Sequence, residues 1–211
     1  MSEPPMPPAA PRIPPQPADE WDESVRETLS ADIGSLGLGV SSLGEAHVFT
    51  TLARHPKLFA AWLPFSSQLL LAGELPFADR ELVILRVARN CDSPYEWGQH
   101  VRIAAKAGLS SEDMTRVAVG PDAPGWTERQ SLLLRATDEL HSDARIGQST
   151  WAGLTRHLTE QQLIELPMLV GHYHLLAFTL NSLRVLPEPG VPPHELTERL
   201  GQQPGESSLP R

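Results

Sequence analysis

Residues 80–100 read RELVILRVARNCDSPYEWGQH, an apolar run followed by a polar turn and a second patterned segment. The run at 82–88 carries a single charge, which is typical of a helix buried on nearly every side. The Ser93-Pro94-Tyr95-Glu96 sequence has the form of a capping box with proline at the first helical position. The stretch therefore predicts two consecutive helices, over residues 77–90 and 94–107.

Helical signals continue through the rest of the body. Thr127 and Thr159 each precede a glutamine by three residues, as in capping boxes, and Gly108 is suited to end a helix. Further helices are predicted over 19–29, 43–54, 56–72, 111–119, 128–141, 150–157 and 160–183. Alternating β-branched runs joined by a hairpin turn are missing. The sequence therefore predicts an all-α fold.

Proline marks both ends of the chain. Residues 1–17 contain eight prolines, and residues 187–211 contain six, with scattered Gly, Gln and Ser. Such segments bury too little apolar area to offset the entropy of ordering the chain. We therefore expect disordered Pro-rich tails at 1–18 and 187–211, and a single helical domain at 19–186.

Charge and cysteine content restrict the class of protein. Seventeen Lys plus Arg against 26 Asp plus Glu give a net charge of −9, which argues against nucleic acid or an anionic membrane as partner. Cys91 is the only cysteine, so an internal disulfide is impossible. No uninterrupted apolar segment of membrane-spanning length and no apolar leader is found. We expect a cytoplasmic protein, and the apolar helical stretches at 82–88 and 163–183 favour a homo-oligomer.

Acid/base chemistry is indicated by three side chains. Glu96 and His100 are four residues apart and share one helix face, so the carboxylate could fix the imidazole tautomer. Glu81 opens an otherwise apolar helix, where a carboxylate must be paired or protonated, and Arg80 could pair it. We interpret Glu81, Glu96 and His100 as catalytic residues acting on a small-molecule substrate.

Each of these residues also has a structural interpretation. Glu96 could serve only as a cap, His100 only as a hydrogen-bonded core histidine, and Arg86 either in a salt bridge or in binding a substrate carboxylate. We assign Arg86, Tyr95 and Tyr173 to substrate binding. His172 and His174 are two residues apart and should face different ways.

Familiar cofactor and metal signatures are missing. The sequence has no His-Glu-x-x-His, no Glu-x-x-His and no Cys-x-x-Cys pair, and no glycine-rich phosphate loop or Gly-x-Ser-x-Gly elbow. We therefore predict that the site uses neither a metal nor a cofactor.

The chain resembles the carboxymuconolactone decarboxylase family, which shares its helical fold with alkylhydroperoxidase D. The resemblance rests on His55-Pro56, residues 75–88, 95–100 and 104–109, and extends more weakly over 126–151. It implies an alkylhydroperoxidase D-like helical bundle that assembles into trimers or hexamers, with the active site near a subunit contact.

The two branches of the family differ in their motifs. The two cysteines of the peroxidase branch fall on Ser93 and Glu96, and its glutamate falls on Glu81, so dithiol chemistry lacks both thiols. The Glu-x-x-x-His of the decarboxylase branch is matched by Glu96 and His100. The Gly-x-Pro expected after the tyrosine of the last helix, Tyr173, is replaced by His174-Leu175-Leu176.

The resemblance implies a cofactor-independent lyase or isomerase acting on a small carboxylated lactone or enolisable ring compound. Two alternatives remain open. The first is a non-enzymatic or ligand-binding member of the fold, in which the capping residues have a structural role only. The second, weaker alternative is a thiol-dependent peroxidase-like redox protein that uses Cys91.

Overall fold

The computed structural model describes residues 10–31 and 41–188, and the regular structure of this part is helical. The α-helices, in chain order, are α1 Glu23–Leu29, α2 His47–Leu52, α3 Pro56–Leu71, α4 Phe77–Asn90, α5 Pro94–Lys106, α6 Ser111–Val119, α7 Glu128–Asp143, α8 Gln148–Leu154 and α9 Glu160–Leu183. No β-strand occurs within the two described ranges. The all-α prediction is confirmed.

Predicted helix boundaries differ most from the structure near the N-terminus. The helix predicted from residue 19 begins at Glu23, because the Asp22 side chain accepts the Val25 N–H at 2.8 Å and caps the helix there. The helix predicted over 43–54 is divided into a 3-10 turn, Leu43–Glu45, and α2, because Ala46 between them has an extended backbone.

Helix α4 lies at the centre of the fold and packs against α5, α6, α7 and α9. Its side chains from Leu82 to Leu85, and those of Val87 and Ala88, have no exposed surface. Burying a side chain as large as Leu or Ile contributes about 1.5–3 kcal/mol. The predicted burial of this helix is confirmed, and the residues at its start are held in a fixed position.

Helix α9 is buried along one side only. Its inner face includes Leu166, Leu169, Tyr173 and Ala177, each at most 3% exposed. The opposite face exposes large apolar side chains, namely Ile164 at 66%, Met168 at 48%, Leu175 at 51% and Phe178 at 61%. By length and composition α9 could cross a membrane, but half of its apolar window is buried inside the protein, as in a core helix.

The packed body extends beyond both predicted boundaries. The Arg12 N–H donates to the Leu183 carbonyl at 2.9 Å, and the Gln16 N–H donates to the Thr50 carbonyl at 3.0 Å. At the other end Glu188 is 7% exposed. Residues 12–16 and Glu188, which the prediction assigns to the tails, therefore contact the helical body. The remainder of each predicted tail lies outside the described residues.

Candidate active site

Glu81 on α4 and His100 on α5 form a buried hydrogen-bonded pair. His100 Nδ1 lies 2.8 Å from Glu81 Oε2. Arg80 Nε and Nη2 both lie 3.0 Å from Glu81 Oε1. The Glu81 side chain is 0% exposed, so its two oxygens are satisfied entirely by protein groups. Arg80 therefore provides the partner that a buried carboxylate requires, and Glu81 holds the imidazole in one orientation.

Nδ1 of His100 is directed at Glu81, which leaves Nε2 as the ring nitrogen available to the cavity that His100 lines. The ring of Tyr173 meets His100 edge-on, with centroids 5.1 Å apart and an interplanar angle of 86°. Burial, with the charge of Glu81, raises the pKa of Tyr173 well above its usual range. The phenol is therefore neutral and packs beside the imidazole.

The capping box predicted at Ser93 is wrong, because the Ser93 N–H is already bound. Asp92 has a left-handed backbone, φ 46°, and the Ser93 N–H donates to the Ala88 carbonyl at 2.9 Å to close the end of α4. Glu96 consequently makes no cap hydrogen bond.

The Glu96 carboxyl instead faces the cavity. It is 3% exposed, and neither oxygen makes a hydrogen bond of good geometry among the described residues, although the Ser93 side chain lies close enough to oppose part of the effect of burial on the pKa. Burial raises the pKa of Glu96 well above its ordinary value, which favours the protonated form. The predicted role of Glu96 in orienting His100 is therefore wrong, since Glu81 occupies that position; Glu96 is free to contact a ligand.

The cavity is small and mostly apolar, with a volume of about 60 Å³. Its polar lining groups come from Ser66, Tyr95, Glu96, Gln99, His100 and Tyr173. Trp62 and Leu176 form part of its wall and also line a second, larger cavity of about 460 Å³ on their other side. Arg54 and His55 lie on the wall of that outer cavity.

Glu188 binds two side chains that line the cavity, and it was not among the predicted site residues. The Tyr95 hydroxyl donates to its Oε1 at 2.6 Å, Gln99 Nε2 donates to its Oε2 at 2.6 Å, and the His47 N–H donates to Oε1 at 2.9 Å. The Tyr95 oxygen also accepts the Val48 N–H at 3.1 Å. Glu188 lies in a Pro-rich segment without helical periodicity, so no sequence signal indicated its contact with α5.

Arg86 does not join the other predicted site residues. Its Nε and Nη2 bind the Asp138 carboxylate at 2.6 and 2.8 Å, and its Nη1 donates to the Val117 carbonyl at 2.8 Å. It does not line the cavity. The structure therefore places Arg86 in a link between α4, α6 and α7, which does not fit the predicted contact with a substrate carboxylate.

His172 and His174 face different ways, as predicted from their spacing. His172 stacks on Trp62, with centroids 5.7 Å apart, and its Nε2 lies 3.2 Å from Ser66 Oγ. Burial lowers the pKa of His172 to about 4, so this ring is neutral at physiological pH. His174 lies against His141 on α7, away from the cavity.

Cys91, at the end of α4, has little thiolate character. Burial, together with the nearby charges of Glu96 and Asp92, raises the pKa of the Cys91 thiol to about 12. A thiol of this pKa stays protonated near neutral pH, which disfavours its use as a peroxide-reducing nucleophile.

The chain matches a family model and several solved structures. Residues 56–139 match the model of the carboxymuconolactone decarboxylase family. A peroxidase-related protein with an alkylhydroperoxidase AhpD core, from Ralstonia eutropha JMP134, is 18% identical, with 87% of this chain and 96% of that chain covered and a TM-score of 0.71.

Two further structures have the same fold. The debrominase Bmp8 in complex with 2,3,4-tribromopyrrole is 12% identical, with 89% and 96% of the two chains covered and a TM-score of 0.71. A peroxidase-related protein from Silicibacter sp. TM1040 is 12% identical, with 68% and 77% covered and a TM-score of 0.62. No curated protein matches the sequence. These likenesses confirm the AhpD-like helical fold.

Proposed function

Because residues 56–139 match the model of the carboxymuconolactone decarboxylase family and the chain has an AhpD-like fold, we propose that the protein is a cofactor-independent lyase or isomerase. It transfers a proton on a small lactone or enolisable ring compound by general acid/base catalysis. The observation that carries the proposal is the Glu81–His100 pair, 2.8 Å apart and buried, at the wall of a cavity.

His100 is the proton-transfer group in this scheme. In an isomerisation, Nε2 takes a proton from the carbon beside the substrate carbonyl and returns it to another carbon of the resulting dienolate. In a decarboxylation, loss of CO₂ leaves the same kind of dienolate. The imidazolium of His100 protonates the dienolate, and the resulting imidazole then takes a proton from water. Glu81 acts as a positioning residue that stabilises the imidazolium. A proton transfer of this kind contributes about 10²–10⁴ in rate.

Glu96 stabilises the oxygen on which negative charge develops. A carboxyl kept protonated by burial can donate a hydrogen bond to a carbonyl oxygen, and that bond strengthens as the carbonyl becomes an enolate. Glu96 and His100 both line the cavity. The two groups thus place a hydrogen-bond donor for the oxyanion and an acid/base group in the same cavity.

The lining of the cavities favours one orientation of the substrate. No Lys or Arg of the described residues lines the inner cavity, so the group bound there is a carbonyl rather than a carboxylate. The inner volume of about 60 Å³ is too small for a ring, whereas ligand sites span about 300–1,000 Å³. We therefore propose that the body of the substrate occupies the 460 Å³ outer cavity, which shares Trp62 and Leu176 with the inner one.

The test uses His100→Ala, Glu96→Leu, which removes the proposed hydrogen-bond donor, and Glu81→Gln, with His157→Gln as a histidine control that does not line the cavity. Carboxymuconolactone and a set of cyclic ketones and lactones are supplied in D₂O, and CO₂ release and deuterium incorporation are measured. We expect turnover of at least one probe, a loss of about 10²-fold or more in each cavity variant, and no change in the control.

Two results would overturn the proposal. Equal rates in His100→Ala and the wild type remove the proposed acid/base group. A protein that binds the probes in the cavity but neither exchanges nor decarboxylates any of them is the ligand-binding member of the fold instead. Thermal unfolding of each variant distinguishes lost chemistry from lost structure.

A further inference from the structure

Three metal-ligating side chains that do not line the proposed catalytic cavity lie close together at the C-terminal end of α4. Cys91 at the end of α4, His141 on α7 and His174 on α9 each place one ligand atom within 4.8 Å of the others. Cys91 and His174 are half-buried and His141 is exposed, so the cluster opens to solvent. A helix end and two helices, distant in sequence, thus contribute one ligand each.

We propose that Cys91, His141 and His174 bind a divalent transition-metal ion of the zinc class. Imidazole nitrogen with thiolate sulfur is the donor set that such ions prefer, and three protein ligands leave a fourth tetrahedral position for water. None of the three residues lines the acid/base cavity, and the proposal does not depend on the function of that cavity.

A hydrogen bond to the backbone fixes His174 in a tautomer that can bind a metal ion. Its Nδ1 lies 2.8 Å from the Val170 carbonyl, which can only accept, so Nδ1 carries the proton. The other ring nitrogen, Nε2, therefore carries the lone pair that a metal ion requires. A backbone carbonyl that fixes the tautomer in this way is the common outer partner of a metal-bound histidine.

The distance between the two histidines fits an ion after a small movement. His141 Nδ1 lies 2.9 Å from His174 Nε2 and donates a hydrogen bond to it. Two nitrogens bound to tetrahedral zinc at about 2.0–2.1 Å are separated by about 3.3 Å. The exposed His141 side chain can move by these few tenths of an ångström.

Metal binding changes the protonation of two ligands. His141 passes from the Nδ1–H to the Nε2–H tautomer, with no net loss of a proton. The Cys91 thiol loses its proton to solvent and binds as thiolate. One proton is therefore released for each ion bound near neutral pH. The ion would link the end of α4 to α7 and α9, and it should raise the midpoint of thermal unfolding.

The experiment titrates the untagged full chain with Co²⁺ and Zn²⁺. We expect one Co²⁺ per chain, a thiolate-to-cobalt charge-transfer absorption and release of one proton. Cys91→Ser should abolish the absorption, and His141→Gln should weaken Zn²⁺ affinity by about 100-fold or more. His157→Gln, which removes a histidine outside the cluster, should bind as the wild type does.

Two outcomes would overturn the site. One is Co²⁺ binding without a thiolate absorption. The other is equal Zn²⁺ affinity in the wild type and His141→Gln, whose exposed position keeps the fold intact. Circular dichroism of each variant confirms folding, so a lost signal reports a lost ligand.

Discussion

Glu96 places a carboxyl group in an apolar cavity, without a hydrogen bond of good geometry among the described residues. Such a group makes the free energy of unfolding of the protein depend on pH in a defined direction. Below the unfolded-state pKa of about 4.3, both states carry the proton. Above it the unfolded chain ionises while the folded protein keeps its proton, so stability falls as pH rises toward the raised folded pKa.

Glu96→Gln removes this titration. Relative to the wild type, the variant should gain stability between pH 5 and pH 8, by up to about 1.4 kcal/mol for each pH unit below the folded pKa. Urea unfolding at pH 5, 6.5 and 8 measures the difference. Glu112→Gln, whose side chain is 80% exposed, is the matched control and should show no such trend. A constant difference for Glu96→Gln across this range would contradict a buried, protonated carboxyl.

At the scale of the helices, the end of α4 and the start of α5 compete for the same backbone donor. The pattern Ser93-Pro94-Tyr95-Glu96 indicates a capping box, yet the Ser93 N–H is used by the Ala88 carbonyl across the left-handed Asp92. Thr127 and Thr159 form the predicted capping boxes. Each follows a longer connection, so the preceding helix does not bind its backbone N–H, and the glutamine side chain accepts that N–H instead. A capping-box motif thus predicts a cap only where the preceding helix does not bind the backbone N–H of the capping residue.

The segment after α9 is tied to α5 through Glu188. Glu188→Ala leaves the Tyr95 hydroxyl, the Gln99 amide and the His47 N–H without their acceptor, and should lower stability by about 3 kcal/mol. Glu188→Gln keeps one acceptor oxygen and should cost less. Urea unfolding of both variants gives the comparison. An alanine variant as stable as the wild type would mean that the segment is not docked in solution.

At the scale of the whole molecule, we propose that the exposed apolar face of α9 contacts a second copy of this chain, giving the homo-oligomer expected from the sequence. Ile164, Met168, Leu175 and Phe178 follow the spacing of one helix face and expose 48–66% of their surface. A contiguous apolar face of this kind is typical of a subunit contact.

Phe178→Asp should shift the protein toward monomer, because it places a charge within the proposed contact. Sedimentation equilibrium measures the mass. Val119→Asp, at a 70% exposed apolar position on α6, is the control and should leave the assembly unchanged. A wild type that is already monomeric, or a Phe178 variant with unchanged mass, would contradict the contact.

The sequence by itself determined the elements of this protein. Apolar periodicity and capping residues predicted α3 to α9 within a few residues, and the composition of 82–88 predicted the burial of α4, because both depend on neighbours along one helix. The same local reasoning identified Glu81, Glu96 and His100 as acid/base candidates.

Only the tertiary structure decided which of these groups meet. His100 is held by Glu81, 19 residues away on another helix, rather than by Glu96 four residues away. Glu188 reaches α5 from a segment without periodicity, and Arg86 is turned toward Asp138. Sequence spacing reports side chains that share a helix face, whereas a hydrogen bond between helices depends on how those helices pack.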